Sequence, residues 1–116
     1  MISVIIPAHN EEAVIDRCLT ALLEGAPSGA LEVFVVCNGC TDRTADLARA
    51  HGEPVQVLEI SQASKVLALN AGDAAARGFP RCYIDADVVA TWETVKAVAA
   101  ILDKGEVLAA APRVQF

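Results

Sequence analysis

Short apolar segments alternate along this chain with longer amphipathic ones, and this alternation restricts the fold more than any other feature of the sequence. The apolar segments are residues 2–7, 31–37, 55–60, 81–84 and 106–111. Each has the length of a buried strand. The segments between them, 11–24, 41–51, 64–77 and 91–104, are predicted to be helices, because apolar spacing of three and four or helix-capping residues mark them. Repeated strand–helix alternation predicts right-handed crossovers and a parallel sheet.

The predicted strands are apolar throughout rather than at every second position, which is expected when helices cover both faces of a sheet. We therefore predict an α/β fold, a Rossmann-like three-layer α/β/α sandwich with a mainly parallel sheet that stops after a fifth strand. The length of 116 residues fits one domain, 1–116. With 54% hydrophobic but only 4% aromatic residues, the core should be aliphatic, and disorder is excluded.

Charge and cysteine content exclude several functional classes. The net charge of −6 and the scattered basic residues argue against a nucleic-acid partner. We find no apolar run long enough for a membrane span and no signal peptide, so we expect a cytoplasmic protein. An aliphatic core of this size needs no disulfides, and free thiols are expected at all four cysteines, Cys18, Cys37, Cys40 and Cys82.

Polar loops follow four of the predicted strands, at 8–12, 38–42, 61–65 and 85–87. The carboxyl ends of parallel strands meet at one edge of the sheet, and ligands bind beyond that edge in open α/β sheets. The sequence therefore predicts that these four loops converge on one binding site.

Asp85 and Asp87 form an Asp-X-Asp motif directly after the fourth strand. In an extended backbone, residues two apart point to the same side, so both carboxylates would aim at one point. A cation between them would relieve their repulsion, and carboxylate oxygens suit Mg²⁺ or Mn²⁺. The alternative is a solvated turn whose aspartates cap the next helix.

The loop after the first strand, 7–12, contains no glycine. This excludes the G-x-G-x-x-G pattern of dinucleotide-binding folds. The loop offers hydrogen-bonding side chains and the ring of His9, which could meet a base. Lys65 opens the third predicted helix, where it could meet a diphosphate; the alternative is a solvated lysine. Gly72, in the same helix, permits close packing.

Cys37 and Cys40 form a C-x-x-C pair at a strand-to-helix junction, which is typical of a thioredoxin-like redox site. A thiol oxidoreductase is therefore the main rival function. The Asn-Gly between the cysteines suits a turn, however, and no other redox feature accompanies the pair. A zinc site would need about four ligands, which the cysteine spacing does not supply.

Taken together, four motifs resemble the family-2 glycosyltransferases with the nucleotide-diphospho-sugar transferase fold. They are S-V-I-I-P-A-H-N-E-E at 3–12, V-C-N-G-C-T-D-R-T at 36–44, the segment from Lys65 to Gly72, and Y-I-D-A-D at 83–87. Each motif alone is weak, but their order and spacing across almost the whole chain are specific.

The resemblance implies a role for each matching residue. The nucleoside pocket would be lined by Pro7, Ala8, His9 and Glu11, with His9 at a position that is often aromatic in the family. Asn38 stands where an Asp usually contacts the base, and Lys65 would approach the base or diphosphate. Asp85 would bind the ribose or a metal-bound water, and Asp87 would ligate Mg²⁺ or Mn²⁺ directly.

The activity implied by the resemblance is metal-dependent, inverting transfer of a sugar from a nucleotide-diphospho-sugar to the hydroxyl of an unknown acceptor. In the family the catalytic base lies roughly a hundred residues after the metal motif, so this chain is expected to supply the donor and metal site only. The alternative is a noncatalytic nucleotide-binding or assembly module. An exposed edge of the sheet could also support a homo-oligomer.

Overall fold

The computed structural model describes residues 1–102, and these residues form four strands and four helices in strict alternation. In chain order they are β1 (Ile2–Ala8), α1 (Ile15–Leu23), β2 (Leu31–Asn38), α2 (Thr44–Arg49), β3 (Val55–Ile60), α3 (Lys65–Ala75), β4 (Arg81–Tyr83) and α4 (Trp92–Leu102). The fifth strand predicted at 106–111 lies outside the described residues. Within residues 1–102, no helix combines the length and apolar character needed to cross a membrane.

All four described strands are parallel and lie in the order β3-β2-β1-β4. The prediction of an α/β fold with a parallel sheet is therefore confirmed. The order runs from β1 through β2 to β3 on one side and jumps to β4 on the other. The strand order therefore reverses between β1 and β4, and open α/β sheets form ligand crevices beyond the carboxyl ends of the strands at such a point.

Helices cover both faces of the sheet. One face packs against α1, α2 and α4 through an aliphatic cluster that includes Val4, Ile6 and Leu19, all 0% exposed. On the other face, Ile5 and Phe34 pack against α3. Alternate residues of β1 thus enter different cores, and β1 is apolar from Val4 to Ala8 for this reason. The three-layer arrangement agrees with the prediction.

Gly72 allows α3 to lie close to the sheet, as its position in the predicted helix suggested. A Cβ atom added at Gly72 would come within 2.5 Å of Cγ2 of Ile5. Ile5 is fully buried and β-branched, so it has little freedom to move away.

Two helices are shorter than predicted, α2 at its start and α3 at its end. The second helix was predicted to begin at residue 41, but α2 starts only at Thr44. Asp42 Oδ1 accepts from the backbone N–H of Thr44 at 2.9 Å just before it. The predicted third helix extends to residue 77, but the N–H of Arg77 donates to the Glu32 carboxylate instead of continuing the helix. Side-chain acceptors on neighbouring elements therefore set these boundaries.

Candidate functional site

A cleft of about 260 Å³ lies at the carboxyl edge of the sheet, beside β1 and the segment that follows β4. The residues that line it come from four separate loops and helix starts: Pro7, His9, Glu11, Asn38, Lys65, Asp85, Ala86 and Asp87. The four polar loops predicted to converge each contribute to this lining.

All but one of the residues assigned to the site from the sequence line the cleft. The exception is Ala8, whose side chain is only 1% exposed. Its carbonyl oxygen accepts hydrogen bonds from Asn38 Nδ2 at 3.0 Å and from Cys40 Sγ at 3.4 Å. Ala8 therefore lies behind the cleft and connects the first two loops. Ala86, which the sequence did not single out, is the additional lining residue.

Negative charge is concentrated on one side of the cleft. Asp85 and Asp87 are both exposed. The pKa of the nearby Glu11 carboxyl is raised, first by burial and then by the charges of Asp87 and Asp85. Three carboxyl groups thus act on one another at this edge.

The segment from Asp85 to Asp87 forms a turn. The extended backbone on which we expected both carboxylates to point to one side is therefore not present, because β4 ends at Tyr83. The N–H of Val88 donates to the carbonyl of Asp85 at 3.0 Å, and a guanidinium N–H of Arg17 donates to the carbonyl of Asp87 at 3.3 Å. The next helix is capped by Thr91, whose hydroxyl accepts from the N–H of Thr94 at 3.3 Å. The aspartates are therefore not needed as caps, and their carboxylates remain at the cleft.

Lys65 provides the positive charge of the cleft. It is the first residue of α3, which is capped by Ser64, whose Oγ accepts from the N–H of Leu67 at 3.2 Å. Lys65 Nζ lies 2.7 Å from Asp85 Oδ1, and both side chains remain about half exposed. The ammonium group can thus neutralise Asp85 or turn toward an anion in the cleft.

The side of the cleft formed by the first two loops is held by hydrogen bonds between those loops. His9 Nδ1 lies 2.6 Å from the carbonyl oxygen of Asn38. A carbonyl oxygen only accepts, so Nδ1 carries the hydrogen and the neutral ring keeps Nε2 as an acceptor. Asn38 itself is 5% exposed, and its amide donates to Ala8. Both side chains are therefore fixed before any ligand arrives.

Further hydrogen bonds join residues 10–12 to residues 41–44, and we call them the inter-loop network. The hydroxyl of Thr44 accepts from the N–H of Glu11 at 2.8 Å. The N–H of Glu12 donates to Asp42 at 3.2 Å, and Glu12 accepts from the N–H of Arg43 at 2.9 Å. The sequence analysis did not assign Thr44 to the site. A signal was present, because an Asp two residues before a Thr is typical of a local side-chain turn.

The C-x-x-C pair does not have the properties of a redox site. Cys37 is 1% exposed. Burial, followed by the neighbouring Cys40, raises the pKa of its thiol to about 12. A redox-active cysteine needs an accessible thiol of lowered pKa. Instead, Cys40 Sγ accepts from the N–H of Asn10 at 3.3 Å and donates to Ala8, so it connects two loops.

The carboxylate oxygens of the cleft suit a hard divalent cation that takes its other ligands from outside the protein. Asp85 and Asp87 offer carboxylate oxygens, which Mg²⁺ and Mn²⁺ prefer. Among residues 1–102, no group of three or more His, Cys, Asp or Glu side chains is arranged to hold a metal. A cation here would take its remaining ligands from water or from phosphate oxygens, as Mg²⁺ commonly does.

The chain matches the family model described as Glycosyl transferase family 2 over residues 3–116. It is 36% identical over 94 residues to the probable glycosyltransferase YdaM of Bacillus subtilis (strain 168), a match that covers 74% of this chain and 22% of YdaM.

The crystal structure of S. aureus TarS 1-349 in complex with UDP-GlcNAc is similar with a TM-score of 0.77 and 28% identity, over 89% of this chain and 31% of that one. The mannosyltransferase PcManGT from Pyrobaculum calidifontis in complex with GDP-Man and Mn²⁺ gives a TM-score of 0.74 and 30% identity, over 86% of this chain and 31% of that one. The chain thus spans less than a third of each of these proteins.

Proposed function

This chain belongs to glycosyl transferase family 2, and we propose that it forms the donor and metal site of an inverting transferase. The enzyme would move a sugar from a nucleotide-diphospho-sugar to an acceptor hydroxyl. The observation that carries this proposal is the cleft at the carboxyl edge, where Asp85, Asp87 and Lys65 meet His9 and Asn38. Acidic groups for a cation, a lysine for phosphates and a fixed ring for a base lie within one cleft.

Each side of the cleft suits a different part of the donor. Asp87 and Asp85 would hold Mg²⁺ or Mn²⁺ at the diphosphate. Lys65 would leave Asp85 and contact the phosphate oxygens. The diphosphate of a nucleotide sugar carries two negative charges and Asp85 carries one, so the diphosphate attracts the ammonium group more strongly. Pro7, His9 and Asn38 would contact the nucleoside. UDP-GlcNAc bound to TarS, and GDP-Man with Mn²⁺ bound to PcManGT, support this class of donor.

The chemistry follows from this placement. A bound divalent cation would supply positive charge for the leaving nucleoside diphosphate. Lys65 would add a second positive charge on the same group. The acceptor hydroxyl would attack the anomeric carbon from the face opposite the diphosphate, and its proton would pass to a carboxylate base. Among residues 1–102 we assign no residue as that base.

Calorimetry with UDP-, GDP- and dTDP-sugars, each with and without Mn²⁺, tests the proposal. We expect one donor class to bind only with the metal, and Asp87→Asn to weaken this binding by tenfold or more, which is about 1.4 kcal/mol. Asp46→Asn, at an exposed position of α2, is the matched control and should bind as the wild type does. If the wild type shows no metal-dependent binding to any of these donors, the proposal is wrong.

A further inference from the structure

We propose that Thr44 is a positioning residue of the donor site, which holds Glu11 at the cleft through the inter-loop network. The inference rests on the proposed function, because the ligand of the site is the donor proposed there. The hydrogen bonds that support the inference do not depend on that function. Thr44 does not line the cleft, so its effect on a donor would pass through Glu11.

Thr44 has a fixed place between the two loops. Its side chain is fully buried. The hydroxyl oxygen accepts from the N–H of Glu11 at 2.8 Å, and the hydroxyl hydrogen points to Asp42 Oδ1 at 2.5 Å. Both hydrogen-bonding functions of the hydroxyl are therefore occupied, and its orientation is determined. A valine at this position would fill the same volume but leave the partly buried N–H of Glu11 without its acceptor, which is costly.

Regular pairing between the first two strands stops just before these loops. The last pair of β1 and β2 residues is Ala8 with Cys37. Beyond it, the loops are joined by side-chain hydrogen bonds, among them Asn10 Oδ1 with the N–H of Thr41 at 2.8 Å. Asn10 has a φ of 52°, a left-handed conformation that costs energy for residues other than glycine. The inter-loop network thus maintains a loop shape that the strand ladder does not.

Glu11 needs to be held because its neighbours repel it. The charges of Asp87 and Asp85 act on its carboxyl group, which lies in the same cleft. The backbone N–H of Glu11 is fixed by Thr44, so the side chain cannot leave by a shift of the loop. Without the hydroxyl of Thr44, the backbone of Glu11 would lose the hydrogen bond that fixes it. Glu11 could then relax away from the aspartates, and the cleft would lose its shape at this residue.

The test compares Thr44→Val, Thr44→Ser and the wild type for affinity toward the donor in the presence of Mn²⁺. We expect Thr44→Val to bind about tenfold more weakly, as loss of a partly buried hydrogen bond implies, and Thr44→Ser to recover most of the affinity. Amide hydrogen exchange, measured without any ligand, should show faster exchange at Glu11 in Thr44→Val and normal exchange in Thr44→Ser. If Thr44→Val does not fold, Thr44→Ala replaces it in both measurements, because it removes the same acceptor without placing a methyl group against Asp42.

Ser3→Ala is the matched control, because Ser3 is also fully buried and its hydroxyl bonds Glu32 at the opposite edge of the sheet. It should lower stability and leave donor affinity unchanged. Donor affinity that is unchanged in Thr44→Val, or lowered equally in Ser3→Ala, overturns the role of Thr44. If the wild type binds no sugar nucleotide, the proposed function is wrong. If the wild type binds the donor and Thr44→Val binds it equally well, only the role of Thr44 is wrong, so the two failures are distinguishable.

Discussion

At the scale of single residues, the ion pair between Lys65 and Asp85 determines what the cleft can bind. The two groups lie 2.7 Å apart and are about half exposed. An exposed pair of this kind contributes little to stability, because water screens it. Its consequence would be a competition, since the oxygen that contacts the ammonium would also be a ligand for the cation of the proposed metal site. A metal and Lys65 should therefore oppose each other until a diphosphate gives the lysine another partner.

We expect Lys65→Met to bind Mn²⁺ more tightly than the wild type when no nucleotide is present, by about two- to fivefold. The same variant should bind the donor with Mn²⁺ more weakly, because it lacks the contact to the diphosphate. Free Mn²⁺ can be measured by electron paramagnetic resonance, and donor affinity by calorimetry. Lys96→Met, at an exposed position of α4, is the control. Equal Mn²⁺ affinity in the wild type and Lys65→Met would contradict the competition.

At the scale of elements, a second polar cluster fixes the connection between α3 and β4, at the edge of the sheet away from the cleft. Glu32 on β2 is 6% exposed. Its Oε2 accepts from the hydroxyl of Ser3 at 2.5 Å and from the N–H groups of Arg77 and Gly78 at 2.5 and 3.0 Å. Gly78 has no room for a side chain, since a Cβ atom there would collide with the backbone of Met1. The end of α3 and the start of β4 are thus positioned by one buried carboxylate.

This cluster predicts how stability depends on pH. Burial alone would raise the pKa of Glu32, but the hydrogen bonds from Ser3, Arg77 and Gly78 lower it below its ordinary value of 4.5. The folded state therefore binds fewer protons than the unfolded state, so this stabilisation is complete above that value and is lost as pH falls through the lowered pKa. We expect Glu32→Gln to reduce the free energy of unfolding by about 1–3 kcal/mol at pH 7. Urea denaturation should show a smaller difference from the wild type near pH 3.

Glu53→Gln is the control for that measurement, because Glu53 is an exposed glutamate near the same edge of the sheet. It should change the free energy of unfolding little at either pH. A Glu32→Gln variant whose loss of stability is the same at pH 7 and pH 3 would show that the ionised carboxylate is not what stabilises the connection.

At the scale of the whole molecule, the chain builds its two cores from aliphatic residues and places three of its four thiols inside them. Cys18, Cys37 and Cys82 are at most 2% exposed, whereas Cys40 is partly exposed. Burial is the largest cause of the raised pKa of each buried thiol, to about 12 for Cys18 and Cys37 and about 11 for Cys82. At neutral pH almost none of the reactive thiolate form is present in the core.

Titration with a thiol reagent at pH 8 should therefore reveal one rapidly reacting thiol in the native chain and all four after denaturation. The rapid reaction belongs to Cys40 and should vanish in Cys40→Ser. The buried thiols should react only as fast as the fold opens. A second rapid thiol, or ready formation of a disulfide between Cys37 and Cys40, would contradict this description and would favour the redox alternative.

The sequence by itself determined the fold class and most of the residues that line the cleft. Apolar strands and amphipathic helices have different periods, so their alternation specifies a parallel sheet with helices on both faces. The carboxyl ends of parallel strands share one edge, so the loop positions of His9, Asn38, Lys65 and Asp85 were enough to predict that they would meet. Cys37 could also be predicted as buried in a strand.

Only the tertiary structure decided the order of the strands and the contacts that cross between loops. The alternation of strands and helices does not determine on which side of β1 a later strand lies. In the folded chain β4 lies beside β1, on the side away from β2, and this position brings Asp85 next to Lys65. Likewise, the bond from Glu11 to Thr44 and the bond from Arg77 to Glu32 each join residues more than thirty positions apart. Periodicity reports which face a residue occupies, but a hydrogen bond between distant side chains depends on distances that only the packed chain defines.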